Sequence, residues 1–363
     1  MYYYYRVAAL TLRSAFELRS FKVFSCETAE ADVTIEETDQ IPESGINAFS
    51  GTIAHRKTPD GWIITLRYNE KMGMFINDEY TRMRVFGAKG KELFGDEEGL
   101  IRLMLECWFT RHGYLSLHSA AVEKDEEAYT FSGPSGIGKS TRAGAWIDAL
   151  GAKLINGDRP LIRVHDPELY GVPWDGKEQL FRNVRYPLKV ICEVRRSDSV
   201  YIRKMSYKQK RNLLLRQTFM PMWDTETAAF QMANIARLAA QTEMVRVFSG
   251  PTGEDARALY SALKKKEYLE EEPDMIAKPG FVLRNVVDEF ILMPTGDNIG
   301  KFNGTVLLNE VSAFVWEKLQ NPMSKDDLLK AILDEFEIDK ATASADLDTL
   351  IVSLRGYGVI EDD

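Results

Sequence analysis

The stretch Tyr129-Thr130-Phe131-Ser132-Gly133-Pro134-Ser135-Gly136-Ile137-Gly138-Lys139-Ser140-Thr141 decides how the rest of this chain is read. Tyr129 to Phe131 is a short β-prone run. It leads into Gly133 to Ser140, which matches the phosphate loop G-x-x-x-x-G-K-[ST]. Gly133, Gly136 and Gly138 let the backbone turn tightly and bring successive amides to an anion with no Cβ in the way. After the loop, Ala143, Trp146, Ile147 and Leu150 recur at helical spacing, so a helix from Lys139 turns its positive end towards the same anion. The expected ligand is a nucleoside triphosphate, ATP, held by Gly133, Ser135, Gly136, Ile137, Gly138, Lys139, Ser140 and Thr141. Lys139 reaches the β and γ phosphates and the Ser140 hydroxyl ligates Mg²⁺. The competing reading is a glycine-rich turn that fits by accident, which background frequencies produce in about one chain of this length per hundred.

Working outward, Tyr114 to Val122 reads as a strand containing His118, joined to the loop strand through the polar hairpin Lys124-Asp125-Glu126-Glu127. Downstream, Gly151 ends the helix and Ala152 to Asn156 rises as a strand into Gly157-Asp158-Arg159-Pro160. An acid at the end of such a strand, about twenty residues past a phosphate loop, is where these proteins hold Mg²⁺, so Asp158 joins Ser140 as a metal ligand. A plain turn aspartate is the alternative. A lone histidine in an apolar strand is more often a satisfied core residue than a base, but proximity to the loop keeps His118 a catalytic candidate. Lys177 and Arg182 are natural contacts for a γ phosphate or a substrate anion, against the reading of solvated loop cations. From Arg195 to Arg216 the chain is basic within a nearly neutral region, which reads as a solvated helix face and not as a nucleic-acid patch. Arg216 and Gln217, beside Phe219-Met220-Pro221-Met222-Trp223, are candidates to line a cleft.

These features together resemble the HPr serine kinase and phosphoenolpyruvate carboxykinase-like kinase family. The likeness is carried by the phosphate loop, the strand ending Gly157-Asp158-Arg159, and His118 ahead of the loop. Tyr170-Gly171-Val172-Pro173-Trp174-Asp175-Gly176-Lys177-Glu178 also looks like the Pro-Trp-x-Gly-Lys segment of members that accompany peptide-modification clusters. The family has two adjacent acids after the strand, whereas this chain has Gly157 in the first place. The resemblance therefore implies that Asp158 acts as base as well as metal ligand, or that Asp175, Glu178 or His118 accepts the proton. Lys139 completes the implied catalytic set.

The rest of the chain sets the frame. With 363 residues, 45% of them hydrophobic, it has material for two or three packed domains. Cys26, Cys107 and Cys192 show neither metal spacing nor an even count, which suits a reducing compartment. No secretory signal pattern or membrane-length apolar run is present, so a soluble cytoplasmic protein is expected. Residues 1–110 alternate in short β-like runs and form an expected β-rich lobe with no catalytic constellation. Residues 111–266 are the expected nucleotide-binding kinase domain. A charged stretch over 267–277, containing Glu270-Glu271-Glu272-Pro273, reads as a linker.

Residues 278–363 carry 8 Lys and Arg against 16 Asp and Glu, so this module holds nearly all of the chain's net charge of −9. Three short strands and then three helices suggest a winged-helix plan. Duplex DNA is excluded by charge, because the third helix bears Asp346 and Asp348 and no cation before Arg355. The element order resembles the PqqD family of precursor-peptide recognition elements. Its markers are Leu308-Asn309-Glu310, Trp316, Leu328, Ile332, Leu333, Phe336, Asp346, Leu350, Leu354 and Gly358-Val359-Ile360. That resemblance implies a leader peptide added as a strand beside the third strand.

The expected fold is thus α/β (α+β): a P-loop core of HPr kinase/PEPCK-like type, a β-rich N-terminal lobe and a C-terminal winged-helix-like PqqD domain. The expected activity is an ATP- and Mg²⁺-dependent kinase acting on a hydroxyl, most plausibly a Ser, of a ribosomally made precursor peptide. Expected partners are that leader peptide and other peptide-modifying enzymes; no nucleic acid or membrane is expected, and homo-oligomerisation stays open. Two alternatives stand beside this reading: a small-metabolite kinase with a regulatory C-terminal domain, and a non-catalytic nucleotide-gated peptide-delivery protein.

Overall fold

A computed structural model describes residues 2–42, 48–50, 53–67, 69–174, 180–286, 289–299, 302 and 305–362. The chain forms two compact units, Met1–Leu269 and Glu270–Asp363, each with its own apolar core.

The first unit opens with an eight-stranded sheet. In spatial order its strands are Tyr3–Val7, Leu10–Ser14, Val33–Glu37, Arg82–Phe86, Asn69–Ile76, Gly61–Leu66, Ile53–Thr58 and Ala48–Ser50. Period-two alternation sends Val33, Ile35, Met74, Ile76, Met83 and Val85 to one face. Against these residues packs helix α1 (Asp96–Arg111), contributing Leu100, Ile101, Met104, Leu105 and Trp108. The same core takes in Tyr170, Val172, Trp174 and Trp223 from much later in the chain. The N-terminal lobe and the phosphate-loop region therefore share one interior.

A nine-stranded mixed sheet carries the loop. Its backbone is the long strand Arg185–Arg196, which pairs in parallel with Glu127–Ser132 on one side and Met244–Ser249 on the other. Helices α2 (Lys139–Leu150) and α5 (Gly253–Lys265) bury Ala143, Trp146, Leu259 and Leu263 on one face, while α3 (Tyr207–Gln217) and α4 (Thr225–Gln241) bury Leu213, Leu214, Ile235 and Leu238 on the other. Burial on both faces explains the near-continuous apolar run of Val190 to Val194. Asp224 caps α4 by accepting from the amides of Glu226 and Thr227, and also accepts from the Tyr80 hydroxyl at 2.9 Å, which ties the lobe to this helix.

Two expectations change. The single strand read over Tyr114 to Val122 is two strands, Tyr114–Ser116 and Ser119–Lys124, and His118 sits in the break. The first pairs with Leu161–Arg163 and the second with Glu127–Ser132, so the chain crosses between two arms of the sheet at Leu117. The stretch 267–277 is also largely paired: the Leu269 amide donates to Ile202, and Met275–Ala277 pairs antiparallel with Ile360–Asp362. Only residues 270–274 run between these attachments.

In the second unit, Phe281–Val286, Glu289–Pro294 and Val306–Leu308 form a three-stranded antiparallel sheet, followed by α6 (Glu310–Lys318), α7 (Lys325–Glu335) and α8 (Lys340–Gly356). Each helix starts at a side-chain cap, respectively Asn309, Ser324 and Asp339. Leu292, Val315, Trp316, Leu319, Leu328, Leu347 and Leu354 fill the interior. No helix among the described residues is long and apolar enough to cross a membrane.

Candidate functional site

The parallel strands run to one edge of the sheet, where Ser132 lies opposite Glu193 and Arg196 opposite Ser249, and the phosphate loop leaves from that edge. Ligands of open α/β sheets sit at such carboxyl edges. Gly133, Gly136 and Gly138 have φ of 143°, 78° and 102°, the region open to glycine and strained for other residues. At Gly138 a Cβ would also lie 2.7 Å from Arg142 Nη1. Pro134, Ser135, Gly136, Ser140 and Thr141 are exposed, Ile137 is half-buried, and Lys139 is buried. The Lys139 ammonium donates to the carbonyls of Gly133 and Pro134 at 3.0 and 3.1 Å, folding back over its own loop. Burial pushes its pKa below the ordinary lysine value, with the Asp158 carboxylate opposing the shift.

Arg142, 4% exposed, is the structural clamp of this loop. Its guanidinium donates to Ser249 Oγ and the Ser249 carbonyl, to the Arg195 carbonyl, and to the carbonyls of Ile137 and Gly138. One side chain thus joins the first turn of α2 to two strand ends. Arg196 adds a bond from outside, donating to the Gly136 carbonyl at 2.5 Å.

Asp158 and His118 meet across the break in the strand. His118 Nε2 lies 3.3 Å from Asp158 Oδ1, and His118 Nδ1 lies 3.2 Å from Gln217 Oε1 at the end of α3. The backbones are tied as well, with the His118 amide donating to Gln217 and the Ser119 amide to Asp158. Burial lowers the His118 pKa, the Lys139 charge lowers it further, and Asp158 acts the other way. Asn156, fully buried, aims Asp158: its Oδ1 accepts from the amides of Asp158 and Arg159 at 3.0 and 2.8 Å while its Nδ2 donates to the Val172 carbonyl. The pattern Asn-Gly-Asp contains this Asx turn, and sequence reasoning passed over it.

The donor set suits a hard cation. A hydroxyl at Ser140 and a carboxylate at Asp158 are oxygen ligands of the type Mg²⁺ takes beside phosphate oxygens, and exposed loop amides leave an anion room to approach. Among the described residues no cluster of three or more His, Cys, Asp and Glu forms a metal cage of its own. Arg182, read as an anion contact, donates through Nε to the Leu154 carbonyl and packs on the strand that leads to Asp158. Asp175, Lys177 and Glu178 lie outside the described residues. Glu106 of α1 was not anticipated: it is 2% exposed, its carboxylate lacks a hydrogen-bond partner among the described residues and lies 3.9 Å from Arg102 Nε, and burial raises its pKa against the pull of Arg102 and Arg159.

The second unit presents a different kind of site. Val306–Leu308 pairs with Glu289–Pro294 on one side only among the described residues, so one row of its backbone groups is open. Leu307 points away from the core at 64% exposure, and α8 exposes Val352 at 71%.

Comparison with known proteins bears on this second unit. Residues 289–360 match the family described as Coenzyme PQQ synthesis protein D (PqqD). Two solved structures each resemble about a quarter of the chain. One is "TbiB1 in Complex with the TbiA(beta) Leader Peptide", with 20% identity over 24% of this chain and 94% of that one and a TM-score of 0.21. The other is "Lasso peptide synthetase B1 complexed with the leader peptide", with 19% identity over 24% of this chain and 98% of that one, also at a TM-score of 0.21. No curated protein matches the chain.

Proposed function

We propose that this chain is an ATP- and Mg²⁺-dependent kinase for a serine hydroxyl of a ribosomally made precursor peptide captured by its PqqD domain. The observation that carries the reading is the meeting of the phosphate loop, Asp158 and His118 at one sheet edge, in a chain whose C-terminal unit matches PqqD. ATP with Mg²⁺ would supply the phosphoryl group and neutralise its charge. Loop amides and Lys139 would hold the phosphates, and Ser140 and Asp158 the ion. The protein's remaining task is to orient the acceptor hydroxyl and remove its proton. Asp158 is fixed for this by Asn156 and by the bond from Ser119. His118, kept neutral at pH 7 by burial and by Lys139, stands 3.3 Å from Asp158 and is placed to share or accept that proton.

On the peptide side, the open edge of Val306–Leu308 offers alternating donors and acceptors to an added strand, and exposed Leu307 offers an apolar contact. A second reading, a nucleotide-gated delivery protein, is favoured by Gly157 standing where the resembling kinases have an acid.

The test combines two measurements on the full chain and on Lys139→Ala. Calorimetric titration with Mg²⁺-ATP should show binding that the variant loses by more than tenfold. Mass spectrometry after incubation with a serine-containing precursor encoded beside the gene should show one added phosphate with the parent protein only. ATP binding without transfer to any such peptide would favour the delivery reading. Unchanged ATP affinity in folded Lys139→Ala would overturn both.

A further inference from the structure

Arg159, in the turn Gly157-Asp158-Arg159-Pro160, has no task in the phosphoryl transfer proposed above. Its backbone is fixed on both sides: the Arg159 amide donates to Asn156 Oδ1 at 2.8 Å, and the Pro160 carbonyl accepts from the Leu117 amide at 3.2 Å. This anchors the residue next to Asp158 and against the strand break that holds His118. Arg159 Nε lies 4.0 Å from Asp158 Oδ2, outside hydrogen-bonding range, and the side chain is 29% exposed. Its charge reaches the rest of the site. Burial is the main cause that lowers the pKa of Lys139 and of His118, and the Arg159 charge lowers both further. The interior carboxylate of Glu106 is also drawn by it. Two acids thus attract the guanidinium, and neither takes a hydrogen bond from it. The neighbouring cations are committed elsewhere: Lys139 donates to Gly133 and Pro134, Arg142 to strand ends and loop carbonyls, and Arg196 to Gly136. Among the described residues the Arg159 guanidinium has no hydrogen-bond partner, so its N–H donors stay available beside Asp158.

We propose that Arg159 binds the transferring phosphoryl group through its guanidinium fork, as an arginine supplied by the chain itself. This role rests on the kinase reading and adds a catalytic residue to it. In the transfer, the acceptor oxygen forms a bond to the γ phosphorus while the bond from that phosphorus to the β–γ bridging oxygen breaks. The bridging oxygen leaves on ADP with the electron pair, and the acceptor proton passes to Asp158 or His118. Negative charge is spread over the three equatorial oxygens of the group in flight, and two parallel N–H donors of a guanidinium match two of them. An ammonium lacks that fork, so Lys139 does not duplicate it. An arginine in this role raises turnover by about a thousandfold or more. The competing role is a turn arginine that only offsets the charge of Asp158. At 4.0 Å and without a hydrogen bond that pairing contributes little, and it carries no dependence on the phosphoryl group.

The test compares the full chain with Arg159→Ala and Arg159→Lys by calorimetric titration with Mg²⁺-ADP, alone and with aluminium fluoride standing in for the transferred phosphoryl group. In the parent, aluminium fluoride should tighten ADP binding at least tenfold. In Arg159→Ala the gain should fall below twofold, with affinity for Mg²⁺-ADP alone within threefold of the parent's and the thermal transition close to it. Arg159→Lys keeps the charge and loses the fork, and should keep at most a threefold gain. Equal tightening in the parent and in folded Arg159→Ala would overturn the role of Arg159 and leave the kinase reading standing. So would a parent whose ADP binding aluminium fluoride leaves unchanged, or a gain in Arg159→Lys equal to the parent's, which decides the matter even where the alanine variant fails to fold. A parent that binds no Mg²⁺-ADP would overturn both.

Discussion

Replacing Arg142 by Met keeps most of the buried stem and removes the guanidinium that holds the loop edge together. The lost bonds run to Ser249 Oγ at 3.1 Å, to the Ser249 carbonyl, and to the Arg195, Ile137 and Gly138 carbonyls at 3.2, 3.3 and 3.3 Å. Hydrogen bonds from a charged donor contribute about 1.5–3 kcal/mol each when well formed. The Ser249 carbonyl keeps a bond from the Ser197 amide, and the Gly138 carbonyl keeps its helical bond, so neither is orphaned. Removing a buried charge also recovers desolvation energy, which already depresses the arginine's pKa. The net cost is then about 3 kcal/mol, and for a unit of this size that corresponds to a fall of about 5 °C in its unfolding midpoint. Five of the six tryptophans belong to the first unit, so intrinsic fluorescence during heating reports mainly on it. A shift below about 2 °C would refute the assignment of Arg142 as the clamp, since an exposed cation of the same helix would behave that way.

Further outcomes follow from the same geometry. His118 has its folded pKa depressed, so its neutral form supports the fold above the ordinary imidazole pKa, and that support is lost as pH falls through the depressed value. Denaturant titrations of the parent and of His118→Asn should therefore show a stability gap that narrows on acidification from pH 7; a constant gap would exclude His118 as a titrating contributor. Asp158→Asn should lose phosphotransfer activity that raised Mg²⁺ partly restores, whereas activity untouched at low Mg²⁺ would remove Asp158 from the mechanism. If the leader adds to the edge of Val306–Leu308, a proline in its paired stretch should weaken binding more than alanine there, and equal effects would argue against strand addition. A protein ending at Leu269 should keep ATP binding yet phosphorylate its peptide at least tenfold less at low peptide concentration, because tethering of the substrate is lost; undiminished phosphorylation would sever the two units functionally.

The legible parts of the fold were those written in local spacing. Glycines at Gly133, Gly136 and Gly138 and the apolar period of α2 lie within twenty residues of one another, and in each of α6, α7 and α8 the cap and its apolar stripe are as close. What escaped depends on distant partners. The break at His118 exists because Leu117 bonds to Pro160 and bridges to Thr218, neither of which marks the sequence around it. The burial of Arg142 is set by Ser249, more than a hundred residues on. Only the packing of α1 against the rest of the unit makes Glu106 an interior acid. Gly157 stands where the kinase family that the sequence resembles has an acid, and the neighbour that Asp158 does have, His118 at 3.3 Å, comes from a strand break the sequence did not mark.

The pairing of Met275–Ala277 with Ile360–Asp362 brings the point of entry into the C-terminal unit alongside its point of exit. A domain whose two ends lie side by side can be cut out of one polypeptide and set into a surface turn of another with little rearrangement of the host, since the insertion opens no wide gap. The same closure makes Ile360–Asp362 part of the architecture. Deleting Ile360–Asp362 strips the entering strand of its neighbour and exposes the buried Met275. Grafting the unit onto an unrelated carrier should transfer whatever recognition it possesses intact.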